Sequence, residues 1–246
     1  EIGVRLVGSE MCIRDSCFSG LIQGIEYYKK NPSQQVIGII HDKLRDYSIH
    51  DIDFVAGFDV GENKVGKPVN EAIYESPNMV DWIPKEEMPK TSGKVYESPA
   101  LDGVGIWVEN KVKPIQSNKS ESEIQEEIKK VIKETGTEII VSYLPVGSEK
   151  ATQFWANICL ETNTAFVNCM PAFIASDKEW AQKFKDKNIP IIGDDIKGQV
   201  GATIVHRTLA RLCDERGTKI EKTYQINVGG NTAVSYTHLT LPTNRE

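Results

Sequence analysis

From Leu21 onward the chain alternates between two spacings of apolar residues. Leu21, Ile22, Ile25 and Tyr28 fall on one helical face, and Asn31-Pro32 ends that helix. Asp53-Phe-Val-Ala-Gly-Phe-Asp59 is a short apolar run closed by an acid, the pattern of a buried strand. A short helix is expected from Lys67 to Glu75, then mostly loop with weak strand content to Gly105. Polar Ser117 to Ser122 leads into a helix over about Glu123 to Glu134, with Ile124, Ile128, Val131 and Ile132 on its buried side. Glu138-Ile-Ile-Val-Ser-Tyr-Leu144 is the clearest strand of all. Helix 148–162, strand 164–169, helix 177–187, strand 190–193 and helix 199–216 follow, and a last strand is expected over about Thr223 to Val228. Ser176-x-x-Glu179 has the spacing of a capping box for the helix at 177.

Repeated strand–helix–strand units of this length predict a parallel sheet covered on both faces. Right-handed crossovers then leave an α/β, doubly wound parallel sheet as the economical architecture. Ligands on such sheets bind outside the carboxyl ends of the strands. Composition narrows the function without choosing it. A net charge of −6 argues against nucleic acid as the main partner, because binding a phosphate backbone rests on a surplus of Lys and Arg. No apolar run approaches the roughly 18–20 residues that cross a bilayer, so no membrane partner is expected. Cys12, Cys17, Cys159, Cys169 and Cys213 form no Cys-x-x-Cys pair, which fits reduced thiols in the cytoplasm rather than a disulfide frame or a zinc site. His41 and His50 have no spacing that suggests a metal, His206 is a lone helix histidine to which no chemistry is assigned, and no metal site is expected.

Chemistry-bearing residues fall where strands end. Asp59 is placed to accept hydrogen bonds from the ribose hydroxyls of NAD, although an acid there can also be a solvated turn residue. In Ser142-Tyr-Leu-Pro-Val-Gly-Ser148, Pro145 stiffens the turn, Gly147 lets the backbone come close to a ligand, and the following helix N-terminus favours an anion or dipole. Asn168-Cys-Met-Pro171 is a second turn of this type, whose Asn could bond a cofactor amide or simply the turn. Gly193-Asp-Asp-Ile-Lys-Gly198 is the most unusual segment: Asp194 and Asp195 need an offsetting cation or hydrogen-bond donors, and Lys197 is a candidate for the cation.

Taken together, Asp53 to Val60 with Lys64-Val-Gly-Lys67, Val141 to Ser148, Phe166 to Pro171, Gly193 to Lys197 and Gln225-Ile-Asn-Val-Gly-Gly-Asn231 resemble the myo-inositol-1-phosphate synthase family in its short prokaryotic form, over about Cys17 to Thr232. The resemblance implies a Rossmann-like NAD-binding domain and a redox-neutral isomerisation of D-glucose 6-phosphate to 1D-myo-inositol 3-phosphate, for inositol and phospholipid biosynthesis. In that family NAD⁺ oxidises C5, the ketone enolises, C6 attacks C1, and the NADH just formed reduces the product. The resemblance further implies that Asp59, Ser142, Pro145 and Asn168 line the cofactor, that Asp194, Lys197, Asn227 and Asn231 lie near nicotinamide and substrate as the catalytic set, and that the full-length enzyme is a homo-oligomer, a tetramer in the family. Another NAD-linked dehydrogenase on the same fold, or a non-catalytic cofactor-sensing module, remains open on the residues alone.

The departures are at the ends. The family opens with a strand and a Gly-x-Gly-Asn-Cys loop, where this chain has Met11-Cys-Ile-Arg-Asp-Ser16 joined to Cys17. Segment 31–51 has the character of an insertion. Val4 to Ser16 and Val234 to Thr243 resemble translated sequencing-adapter read-through. Residues 1–16 and 233–246 are therefore expected to be non-native extensions around an incomplete 17–232 domain, with 1–15 and 234–246 irregular. The family's tetramerisation part and its Ser-Lys-Lys-x-Ser-Lys segment are expected to be mostly missing, and the polypeptide as written inactive.

Overall fold

The computed structural model describes residues 4–10, 17–31, 38–41, 43–78, 80–103, 112–196 and 202–223. In chain order the elements are β1 (Val4–Glu10), α1 (Cys17–Lys30), β2 (Lys43–Leu44), β3 (Tyr47–Ser48), β4 (Ile52–Asp59), α2 (Val69–Ala72), β5 (Lys94–Glu97), α3 (Glu121–Thr135), β6 (Ile139–Tyr143), α4 (Glu149–Thr162), β7 (Ala165–Asn168), α5 (Lys178–Asp186), β8 (Ile191–Ile192) and α6 (Ala202–Glu215). The chain divides into two compact units, residues 1–195 and 196–246, of which the second contributes the amphipathic α6. The last expected strand, over 223–228, lies outside the described residues apart from Thr223, which is not in a strand.

A six-stranded sheet in the order β5-β4-β1-β6-β7-β8 organises the first unit, and all its neighbours run parallel. This is the doubly wound arrangement that the alternating pattern predicts. The expectation that residues 1–15 are irregular is overturned over Val4–Glu10. That segment is the central strand, in register with Ile52–Phe58 on one side and with Ile139–Tyr143 on the other. The physical reason is backbone pairing: two parallel strands meeting at a switch point leave N–H and C=O groups that only a strand between them can satisfy. Residues 234–246 lie outside the described set.

Two apolar layers cover the sheet. On one face Phe58, Trp155, Ile140, Phe166 and Phe184 pack with α3 and α4, Trp155 tilted against Phe58 at 4.9 Å between ring centroids. On the other, Phe18, Ile22 and Ile25 of α1 meet Phe54, Val69 and Val95, and Phe18 meets Phe54 edge-on. Phe54 and Phe58 are an even number of residues apart, yet they serve opposite layers. Opposite Leu6-Val7 the register passes from Phe54 to Ala56, so Val55 is an extra residue that inverts the alternation of β4. Gly93 packs on this bulge, where a Cβ would come within 2.6 Å of the Phe54 carbonyl oxygen. Gly93→Ala is therefore expected to lower stability by about 1–3 kcal/mol as an overpacked backbone contact. A urea midpoint equal to that of the wild type would contradict it.

Helix ends follow local chemistry, with one exchange. A capping box forms at Ser120 and Glu123 of α3, closed at the far end by Gly136 in the left-handed conformation (φ 61°). The box expected at Ser176 and Glu179 does not form. Asp177 caps α5 instead, accepting from the N–H groups of Glu179 and Trp180. A carboxylate one residue closer to the first turn reaches both donors and adds charge favourable to the helix dipole. The short helix expected over 67–75 is confined to Val69–Ala72, and within the segment read as an insertion Lys43–Ser48 forms the β2–β3 hairpin.

Candidate functional site

The strand order reverses direction between β1 and β6, so the crevice of this sheet opens outside Glu10 and Tyr143. Asp59 closes β4, the strand beside β1. Its side chain is 5% exposed and already engaged: one oxygen accepts from the Gly61 N–H at 2.7 Å, and the other pairs with the buried Lys64 ammonium at 3.2 Å. Burial pushes the Asp59 carboxyl above its ordinary value, and Lys64 and the N–H groups of Gly61 and Val60 offset only part of that. A carboxylate can accept about four hydrogen bonds, so these three partners leave acceptor capacity for a hydroxyl-bearing ligand. Lys64→Met leaves a buried charge without its counter-ion. It is expected to destabilise the fold by about 3 kcal/mol, and Asp59→Asn in the same chain is expected to recover much of the loss. A double variant no more stable than Lys64→Met would contradict the pairing.

The β6–α4 turn carries Ser142, Pro145 and Ser148. Ser142 is fully buried at the end of β6, and its Oγ finds no hydrogen-bond partner among the described residues; Ser148 Oγ is in the same state. A buried hydroxyl without a partner costs about 1–3 kcal/mol, so both are places where a bound polar group would be welcome. The N-terminus of α4, expected to favour an anion or a dipole, receives a carboxylate from within the chain. Asp102 accepts from the N–H groups of Lys150 at 2.7 Å and Ala151 at 2.9 Å, while Ser148 makes no side-chain cap. Gly147 has the positive φ (92°) that the turn requires.

Asn168 and Asp194 form the third part. Asn168, at the end of β7, is 1% exposed. Its amide donates to Asp194 Oδ1 at 2.8 Å and to the Ala172 carbonyl at 2.7 Å, and its oxygen accepts from Met170 N–H. Asp194 also accepts from the N–H groups of Ile174 (2.9 Å), Ala175 (3.0 Å) and Ser176 (2.9 Å). Partial burial pushes its carboxyl up, but these N–H groups and the Asn168 amide outweigh burial and hold it below the ordinary carboxylate value. Of the two offsets expected for the adjacent acids, a cation or hydrogen-bond donors, it is donors that stabilise the Asp194 charge. Lys197, Asn227 and Asn231 lie outside the described residues. Lys64, Asp102 and residues 172–175 carry no signal of their own in the sequence, although Lys64 belongs to the Lys64-Val-Gly-Lys67 motif.

The structure therefore brings Asp59, Ser142, Pro145, Asn168 and Asp194 to the carboxyl edge of one sheet. A strand-end acid, a hydrogen-bonded amide–carboxylate pair and two buried hydroxyls thus lie at or beside this edge. No group of His, Cys, Asp or Glu among the described residues is arranged to hold a metal ion, and no helix among them is long and apolar enough to cross a membrane.

Comparison with known proteins agrees with this architecture. The family model described as myo-inositol-1-phosphate synthase matches residues 201–239. The chain is 44% identical to an inositol-3-phosphate synthase of Mycolicibacterium smegmatis, over 94% of this chain and 60% of that protein. It is 46% identical to an inositol-3-phosphate synthase of Corynebacterium glutamicum, over 88% of this chain and 58% of that protein. Among solved structures it resembles Ari2, with a TM-score of 0.78 and 29% identity, over 97% of this chain and 67% of that one. The chain thus spans no more than 60% of the length of these two curated relatives.

Proposed function

The chain belongs to the myo-inositol-1-phosphate synthase family, and from that premise we propose that it carries the NAD-binding part of an inositol-3-phosphate synthase, which isomerises D-glucose 6-phosphate to 1D-myo-inositol 3-phosphate. The observation that carries this reading is the 44% identity to a curated synthase across nearly the whole chain. The sheet order supports the cofactor, because a dinucleotide crosses the crevice between the first and fourth strands of such a sheet. In this reading Asp59 accepts from ribose hydroxyls, and Ser142 Oγ gains the partner it lacks. Pro145 and Asn168 border the same crevice. Asp194, Lys197, Asn227 and Asn231 serve the nicotinamide and substrate end.

Bound NAD supplies a reversible hydride acceptor. The chain's own residues orient it. Asp194 fixes the 174–176 backbone and the Asn168 amide, so that groups on the turn after β7 keep one geometry through a cycle. Among the described cysteines, Cys17, Cys159, Cys169 and Cys213 are in no disulfide, which suits a reducing, cytoplasmic setting, and we expect the whole enzyme to be a homo-oligomer.

The test is product formation by the protein expressed from its full reading frame. With glucose 6-phosphate and NAD⁺, phosphorus NMR is expected to show inositol phosphate while NADH absorbance stays flat. Steady accumulation of NADH without inositol phosphate would point to a dehydrogenase and contradict the proposal.

A further inference from the structure

Strand β5 lies at one edge of the sheet, and β4 and β1 separate it from β6. Five residues after Glu97 ends β5, Asp102 is bonded to the N-terminus of α4, the helix that follows β6. All these strands are parallel, so residues 98–102 must run along the carboxyl edge past the ends of β4 and β1. The distance agrees: three inter-strand steps are about 14 Å, and five extended residues reach about 17 Å. The segment starts from the Ser98 N–H on the Asp59 carbonyl at 2.9 Å. It ends with Gly103 seated so close to Ser148 that a Cβ there would come within 1.9 Å of Ser148 Oγ. A cavity of about 190 Å³ lies against the strap, lined by Val60, Leu101, Pro114, Ile115 and Ile124 among others.

We propose that Asp102 is a positioning residue, a latch that closes the strap 98–103 over the crevice and so completes the outer wall of the cofactor site; this rests on the NAD reading given above. The strap ties together two parts of that site: the end of β4 with Asp59, and the β6–α4 turn with Ser142 and Pro145. Its two charge-assisted bonds to helix N–H groups supply the closing interaction. Gly103 supplies the fit, with φ at 80° and no side chain to strike Ser148. A strap held shut binds cofactor with its intrinsic affinity, whereas one that is closed only part of the time weakens apparent affinity in proportion to the closed fraction.

The experiment is an NAD⁺ titration by calorimetry on the wild-type chain and on Asp102→Ala, Asp102→Asn and Gly103→Ala, with thermal midpoints and amide exchange measured with and without NAD⁺. Asp102→Ala is expected to weaken NAD⁺ binding about tenfold, and Asp102→Asn, which keeps one acceptor oxygen, about threefold. Gly103→Ala is expected to weaken it as well while leaving the carboxylate in place. In wild type, NAD⁺ is expected to slow exchange at Ala100 to Gly103, and this protection is lost in Asp102→Ala. An Asp102 that merely caps α4 would lower the midpoint and leave affinity and protection unchanged, which would overturn the latch. Wild type that does not bind NAD⁺ at all would overturn the cofactor reading and the latch with it.

Discussion

Trp155→Ala is expected to cost about 3–5 kcal/mol, a large part of the roughly 5–15 kcal/mol that holds a domain together. Trp155 on α4 is fully buried, tilted against Phe58 of β4 and edge-on to Phe154 at 5.7 Å between centroids. It joins the helix that carries the β6–α4 turn to the strand that ends in Asp59. Truncation leaves a void between helix and sheet that neighbours cannot fill without moving the bulged strand. Urea unfolding followed by far-ultraviolet circular dichroism is expected to show the midpoint collapse, with Trp155→Phe recovering most of it. A loss under about 1 kcal/mol, the range of an ordinary surface substitution, would show that this packing is not what holds α4 in place.

Asp194→Ala is expected to have the second-largest effect, about 2–4 kcal/mol. It removes the acceptor for three consecutive backbone N–H groups, at Ile174, Ala175 and Ser176, and for the Asn168 amide. Asp194→Asn keeps one acceptor oxygen and is expected to fall between the two. The linkage has a definite sign. Because the folded carboxyl titrates below its ordinary value of 3.8, the unfolded chain binds more protons in that window. Stability from this group is therefore complete above about the ordinary carboxylate pKa and is lost as pH falls through the lower, folded value. Wild type is expected to lose stability more steeply than Asp194→Asn on acidification. Parallel curves for the two would contradict the assignment.

The sheet and its order of elements were legible because strand and helix spacings differ so sharply in 124–192. Ile124, Ile128, Val131 and Ile132 mark one helix face, and Ile139 to Tyr143 one strand. Three features were hidden for physical reasons. The strand over Val4–Glu10 was hidden because Val4 to Ser16 resembles adapter read-through, and its pairing with β4 and β6 is made by backbone groups that a sequence does not display. The Val55 bulge leaves no mark in composition, because an inserted residue is recognised only by which partner it faces. The roles of Asp102 and Lys64 depend on contacts across 48 residues in one case and a buried pairing with Asp59 in the other. At the site, the strand-end positions of Asp59, Ser142, Asn168 and Asp194 could be read from the pattern, whereas their partners could not. Asp194 shows why: two neighbouring acids call for a cation or hydrogen-bond donors, and the backbone N–H groups that answer carry no letter in the sequence.

The central proposal, a hydride lent and returned within one catalytic cycle, is tested most directly with glucose 6-phosphate deuterated at C5 and unlabelled NAD⁺, using the protein from its full reading frame. The expected result is inositol phosphate that keeps the deuterium, with none in the free nicotinamide pool and no net NADH. Deuterium accumulating in released NADH, with no inositol phosphate formed, would contradict it.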